Sequence, residues 1–227
     1  GISVAGAGDV NGDGYSELVV GATNYNPSGT GDFTGTVFLY PGGFSGLNAA
    51  PAWHQGGTQD GERMGHSVAG AGDVNGDGYA DVIVGAPYFD GDDVDVGRAF
   101  LFAGSPAGLQ ASPHWKAQGT ALNERFGYAV SGAGDVNKDG HTEILVGAPG
   151  GAGNRGRACL YQGRRTRMST TPSWSESGSQ VGCFYGGAVD GAGDVNGDGF
   201  ADVIVGAPSR DNWGLSNIGL AVVYYGS

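Results

Sequence analysis

Hydrophobic residues along this chain gather in short β-branched runs that return at a regular interval. Leu18-Val19-Val20, Val82-Ile83-Val84, Ile144-Leu145-Val146 and Val203-Ile204-Val205 each run into Gly-Ala-Pro, or once into Gly21-Ala22-Thr23. Short runs bounded by breakers predict strands, and their near-continuous hydrophobicity predicts burial on both faces, as in sheets stacked face to face. A small-residue strand precedes each run: Ser3-Val4-Ala5, Ser67-Val68-Ala69, Ala129-Val130-Ser131 and Ala188-Val189-Asp190. A polar, glycine-rich loop of variable length follows, then a third strand over Thr36 to Tyr40, Ala99 to Phe102, Ala158 to Tyr161 and Leu220 to Tyr224. A weaker fourth strand carries Pro51/Trp53, Pro113/Trp115 and Pro172/Trp174, and proline near its start marks an outer edge strand. These tryptophans are expected to anchor neighbouring sheets to one another.

Between the first and second strands of every unit stands one nine-residue stretch, beginning at Asp9, Asp73, Asp135 and Asp194, in steps of 64, 62 and 59 residues. A period near 60 means supersecondary units that bury a core only by packing on their neighbours. Four antiparallel strands per unit is the arithmetic of β-propeller blades. The expected fold is therefore an all-β propeller segment with blades at approximately 1–63, 64–125, 126–184 and 185–227, the last without its outer strand. Open edges at both ends would expose backbone donors and acceptors, so further blades or another copy are expected to close the ring.

The nine-residue stretch places oxygen-bearing side chains at positions one, three, five and nine, with glycine at six. A hard divalent ion such as Ca²⁺ takes roughly six to eight oxygens at about 2.3–2.6 Å, which a coiled loop supplies by aiming alternate residues inward. The expected ligands are Asp9, Asn11, Asp13, Glu17 and the Tyr15 carbonyl; Asp73, Asn75, Asp77, Asp81 and the Tyr79 carbonyl; Asp135, Asn137, Asp139, Glu143 and the His141 carbonyl; and Asp194, Asn196, Asp198, Asp202 and the Phe200 carbonyl. Up to four Ca²⁺ ions follow. Position seven varies through Tyr, His and Phe, as expected where only its carbonyl is used. Position four reads as loose, because Lys138 stands where the other copies have glycine, and its side chain is expected in solvent. The last acid at position nine, followed by a β-branched run, separates these loops from EF-hand loops, which end at position twelve beside a helix.

Charge agrees with this reading. The loops hold twelve of the 23 acidic residues and, in Lys138, one of the eleven bases, leaving eleven acids against ten bases elsewhere, so nearly all of the net charge of −12 resides in them. Clustered carboxylates repel by about 1 kcal/mol per pair in water and about 4 near a protein surface, a cost that a cation removes. Such a balance excludes nucleic acid as a partner, and the short cluster Arg164, Arg165 and Arg167 does not change it. No apolar run approaches 18 residues, so no membrane span is expected. Cys159 aligns with Phe38 and Phe100, a hydrophobic position, and Cys183 with Glu62 and Glu124, a polar one; a disulfide and free thiols both remain open. His54, His66, His114 and His141 are scattered, with neither a His-Glu-x-x-His zinc helix nor a Gly-x-Ser-x-Gly elbow, so no catalytic residue is expected.

Phe126-Gly127 through Gly147-Ala148-Pro149, with the acidic loop between, resembles the FG-GAP repeat of integrin α-subunit propellers and their bacterial relatives, and the resemblance runs along essentially the whole chain. Met64 and Tyr185 replace the phenylalanine, Thr23 replaces a proline, and asparagine at loop position three removes one charge per site. The resemblance implies an extracellular or cell-surface adhesion module with structural Ca²⁺, binding a protein ligand on the face opposite the calcium turns. The variable loops Asn24 to Asp32, Tyr88 to Val96, Gly150 to Arg157 and Ser209 to Asn217 are then the candidate surface, with Tyr25, Phe89, Asp92, Asp93, Asp95, Arg210 and Trp213 as its contacts. Two alternatives stand beside it: the non-catalytic propeller part of a secreted hydrolase, and a glycan-binding propeller resting on the same loop residues.

Overall fold

The computed structural model describes residues 1–25, 33–151, 153–211 and 216–227, and among these all regular structure is β. Fifteen strands form four antiparallel sheets in simple sequence order. The first holds β1 (Ser3–Gly8), β2 (Glu17–Ala22), β3 (Thr36–Tyr40) and β4 (Trp53–Gly56). The second holds β5 (Ser67–Gly72), β6 (Asp81–Ala86), β7 (Arg98–Phe102) and β8 (Trp115–Gln118). β9 (Ala129–Gly134), β10 (Glu143–Ala148), β11 (Arg157–Tyr161) and β12 (Trp174–Ser177) make the third, and β13 (Ala188–Gly193), β14 (Asp202–Ala207) and β15 (Leu220–Tyr224) the fourth. These are propeller blades, the last with three strands. No helix is long and apolar enough to cross a membrane.

The apolar runs behave as their composition demands where a sheet has neighbours on both sides: every residue of β6 and β10 is buried. In the first blade β2 alternates between buried and half-buried, because only one of its faces meets another sheet. Three apolar clusters fill the spaces between successive blades, with Val19, Leu39 and Phe102 in the first, Leu101, Phe126 and Ile144 in the second, and Leu145, Tyr185 and Val205 in the third. The tryptophans anchor these seams as expected. Trp53, Trp115 and Trp174 meet Phe102, Tyr161 and Tyr224 of the next blade, with ring centroids 5.0, 4.8 and 4.7 Å apart.

The Gly-Ala-Pro and Phe-Gly elements turn out to be two halves of one contact. A Cβ on Gly85 would overlap the Gly127 carbonyl oxygen, and one on Gly147 would overlap that of Gly186. Only a residue without a side chain lets the blades approach this closely. The preceding Met64, Phe126 and Tyr185 are all buried, so the three residue types are packing variants of one plug. Both cysteines are free and buried.

Candidate cation-binding loops

Each acidic stretch joins the first and second strands of a blade and coils back on its own amides. In the first copy Asp9 accepts hydrogen bonds from the N–H groups of Gly12, Asp13 and Gly14 at 2.7, 3.1 and 2.8 Å. Asn11 Oδ1 accepts from the Asp13 N–H at 2.8 Å, and Asp13 Oδ1 from the Tyr15 N–H at 2.9 Å. Asp73 and Asp194 repeat the first pattern. Asp135 keeps the bonds from Asp139 and Gly140. Position six is left-handed in all four, with φ of 88°, 92°, 88° and 86° at Gly14, Gly78, Gly140 and Gly199.

The position-nine acid differs from the others. Glu17, Asp81, Glu143 and Asp202 are at most 2 % exposed, whereas Asp9, Asp13 and Asp198 reach solvent. One carboxylate oxygen of each accepts the N–H of loop position two: Val10 at 2.8 Å, Val74 at 3.0 Å, Val136 at 2.8 Å and Val195 at 2.8 Å. The other oxygen of Asp81 accepts from the Gly104 N–H at 2.9 Å, and that of Asp202 from the Gly226 N–H at 3.0 Å. The acid thus roots the loop in the end of the third strand. A repeated aromatic-x-glycine at Tyr40-Pro41-Gly42, Phe102-Ala103-Gly104, Tyr161-Gln162-Gly163 and Tyr224-Tyr225-Gly226 is the sequence signal for this partner.

Burial raises the carboxyls of Asp81 and Glu143 to about 7, backbone hydrogen bonds oppose the shift, and the neighbouring loop carboxylates add to it. Glu17 moves the same way for the same first cause. At the exposed end the sign reverses, the Gly14 N–H leading the causes that lower Asp9 and the Phe200 N–H those that lower Asp198.

Among the described residues no three His, Cys, Asp or Glu side chains already stand in a metal-ligating arrangement, because the loop carboxylates are turned onto the loop amides. The donor set nevertheless fits a hard cation. All donors are oxygens on one short turn, Asp9 Oδ2, Asn11 Oδ1 and both Asp13 oxygens each accept a single hydrogen bond and so keep a lone pair, and Glu17 Oε1 is buried without any hydrogen-bond partner. Asn11, Asn75, Asn137 and Asn196 belong to the same turns, their amides donating to Asp13, Asp77, Asp139 and Asp198.

Two expectations about the loops need correction. Position four is not loose: Gly12, Gly76, Lys138 and Gly197 all take positive φ, of 77°, 71°, 59° and 75°. Position seven offers more than a carbonyl. A Cβ on Gly12 would lie 2.8 Å from Tyr79 Cε1 and one on Gly76 2.5 Å from His141 Cε1, so each position-seven ring lies over position four of the preceding loop. Lys138 is exposed, as expected, and its side chain also crosses to the next loop, with its ammonium 4.0 Å from the Phe200 ring centroid. Backbone bonds follow the same path, from the N–H of Ala80, Thr142 and Ala201 to the carbonyls of Asp9, Asp73 and Asp135 at 3.0, 3.2 and 3.0 Å. The four loops form a continuous chain along one end of the blades.

At the opposite end the variable loops are described in part. Residues 26–32, 152 and 212–215, and with them Asp32 and Trp213, lie outside the described residues. Tyr25, Asp92 and Asp93 are exposed, Asp95 and Arg210 half-buried. Phe89 is a correction: it is only 9 % exposed, lying under the Arg98 guanidinium 3.5 Å from its ring centroid. Sequence reasoning also missed two buried acids. Glu62 accepts the N–H groups of Thr58 and Gln59, and Glu124 those of Thr120 and Ala121 while pairing with Arg157. Cys183, in the aligned place, is equally buried, so that position is an interior one rather than a polar surface one.

Blades of this connectivity, glycine-to-carbonyl seams and acidic turns between first and second strands define an FG-GAP type β-propeller unit. The chain matches the FG-GAP repeat family over residues 1–40, 64–102, 126–158 and 185–224, and it belongs to that family. It is 40 % identical to integrin alpha-IIb of Mus musculus over 160 residues, covering 66 % of this chain and 15 % of that protein. It is 33 % identical to integrin alpha-8 of Gallus gallus over 219 residues, 91 % of this chain and 20 % of the other. With integrin alpha pat-2 of Caenorhabditis elegans it shares 30 % identity over 223 residues, 90 % of this chain and 18 % of that one. The chain thus spans a fifth or less of the length of these relatives.

Proposed function

We propose that this chain is a calcium-binding, non-enzymatic FG-GAP propeller unit of an extracellular or cell-surface adhesion protein, in which Ca²⁺ is structural and a protein ligand is met by the variable-loop face. The observation that carries the calcium reading is the position-nine acid, a buried carboxylate repeated four times inside a turn that already holds two further acids. A buried carboxylate without a counter-charge is costly, and a divalent ion in the turn would neutralise it together with its neighbours. The adhesion reading is supported by the integrin alpha chains among the relatives. Millimolar calcium outside cells suits sites of modest affinity. The domain reading, one propeller with blades at approximately 1–63, 64–125, 126–184 and 185–227 that further blades or another copy complete, is part of the same proposal. It is supported by the half-exposed alternation of β2 beside the fully buried β6 and β10.

Calorimetric titration of calcium into chelator-treated protein, followed by thermal unfolding, tests the proposal. About four equivalents and a marked rise in Tm are expected, since each filled site adds about 4 kcal/mol when free ion exceeds its dissociation constant a thousandfold. Uptake of one ion or none, with unchanged Tm, would show the loops to be ordinary acidic turns.

A further inference from the structure

Arg63 and Arg125 occupy the same place in successive repeats, immediately before Met64-Gly65 and Phe126-Gly127. Both take left-handed backbone, φ 54° and 57°, in turns closed by the His66 and Tyr128 N–H groups, each donating to the arginine carbonyl at 3.1 Å. Their side chains converge on one ring. The guanidinium carbons lie 4.6 and 5.4 Å from the centroid of Tyr88. His66 stands edge-on to the same ring, 6.2 Å away, and packs on Tyr128 at 4.5 Å.

Among the described residues neither guanidinium has a hydrogen-bond acceptor or a paired carboxylate, and Arg125 Nε is buried without a partner. Three other arginines of this face are satisfied, Arg98 by Gln118, Arg155 by the Ser179 carbonyl and Arg157 by Glu124, whereas Arg210 Nε, like Arg125 Nε, is buried without a partner. Asp95, whose carbonyl accepts the Arg125 N–H at 3.0 Å, is the neighbouring acid, and it makes no ion pair with either arginine. Two like charges are therefore held on one tyrosine, pre-ordered and unpaired, in a protein of net charge −12.

We infer that the Arg63–Tyr88–Arg125 cluster is a binding site for a single carboxylate, an Asp or Glu side chain presented by a partner protein. Guanidinium forks match a carboxylate edge to edge, and a ring against which both already rest removes part of the ordering cost. A polyanion is the wrong scale, because repulsion from the overall negative charge grows with ligand charge while only two cations attract it. Tyr88 opens the β6–β7 connection, and the arginines precede β5 and β9, so the cluster lies at the end of the blades opposite the acidic loops. The inference thus deepens the reading of that end as a ligand face.

The test is a titration of the calcium-supplemented protein, at constant ionic strength, with acetyl-Gly-Glu-Gly-amide and with its glutamine counterpart, following the arginine Nε–H resonances by nuclear magnetic resonance. Saturable shifts of Arg63 and Arg125 with the glutamate peptide alone are expected. Arg63→Gln, at an exposed position, keeps the fold and weakens binding about tenfold, the loss of one charge-assisted pair; Asp95→Asn strengthens it. Equal response to both peptides, no saturable shift, tighter binding of inorganic sulfate, or unchanged affinity in folded Arg63→Gln would overturn the inference. None of these outcomes alters the calcium titration, so the two readings fail separately.

Discussion

Lys138 and Phe200, one repeat apart in the chain, meet across a blade seam: the ammonium lies 4.0 Å from the ring centroid and donates a 2.9 Å hydrogen bond to the Asp198 carbonyl. The contact explains why a lysine is tolerated at a position whose φ of 59° favours glycine. Left-handed backbone costs a non-glycine residue about 1 kcal/mol, and an exposed cation–π contact with a hydrogen bond returns about as much. Lys138→Ala should keep the backbone cost and lose the contact, lowering stability by about 1 kcal/mol. Lys138→Gly should lose both and stay near the parent. Thermal unfolding of the pair, in calcium, distinguishes them.

Gly85 faces the Gly127 carbonyl so closely that alanine cannot be placed without separating two blades. Gly85→Ala should cost more than about 3 kcal/mol, the range of severe overpacking. A Cβ on Gly6 would meet no atom within 4 Å, so Gly6→Ala should change stability little. Denaturant midpoints for both variants check this, and similar midpoints would refute the seam argument.

Trp115 is 3 % exposed, packs on Tyr161 and donates from its indole nitrogen to the Ser169 carbonyl at 2.9 Å. Trp115→Ala should destabilise by about 3–5 kcal/mol through the cavity it leaves. Trp115→Phe should retain most of the packing and lose about 1 kcal/mol with the hydrogen bond. Equilibrium unfolding followed by far-ultraviolet circular dichroism gives both values.

The raised carboxyls set a pH dependence whose sign depends on the cation. Asp81 and Glu143 bind protons more tightly folded, with values of about 7, than unfolded. Their contribution to metal-free stability is therefore complete below the ordinary carboxylate range and is lost as pH rises toward and through about 7. In chelator, Tm should fall between about pH 5 and 8 on this account. In millimolar calcium the fall should be offset, since ion uptake favours the ionised form. Parallel curves with and without calcium would exclude these acids as ligands.

Much of this molecule was legible along the chain because its information is local. β-branched runs between Gly-Ala-Pro breakers specify strands, the period near 60 specifies blades, and glycine at loop position six is demanded by a left-handed turn within nine residues. What stayed illegible lies across seams. Phe89 looked like an exposed loop aromatic and is covered by Arg98, Lys138 is exposed as expected yet reaches across to Phe200, and the polar position of Glu62 is an interior one. The convergence of Arg63 and Arg125 on Tyr88 belongs to the same class. The amino-acid sequence by itself determined the strands, their repeat and the acidic turns, since each depends on residues a few positions apart. Only the tertiary structure decided which side chains of one repeat lie against the next, because packing blade on blade brings together residues about sixty positions apart whose pairing leaves no local pattern.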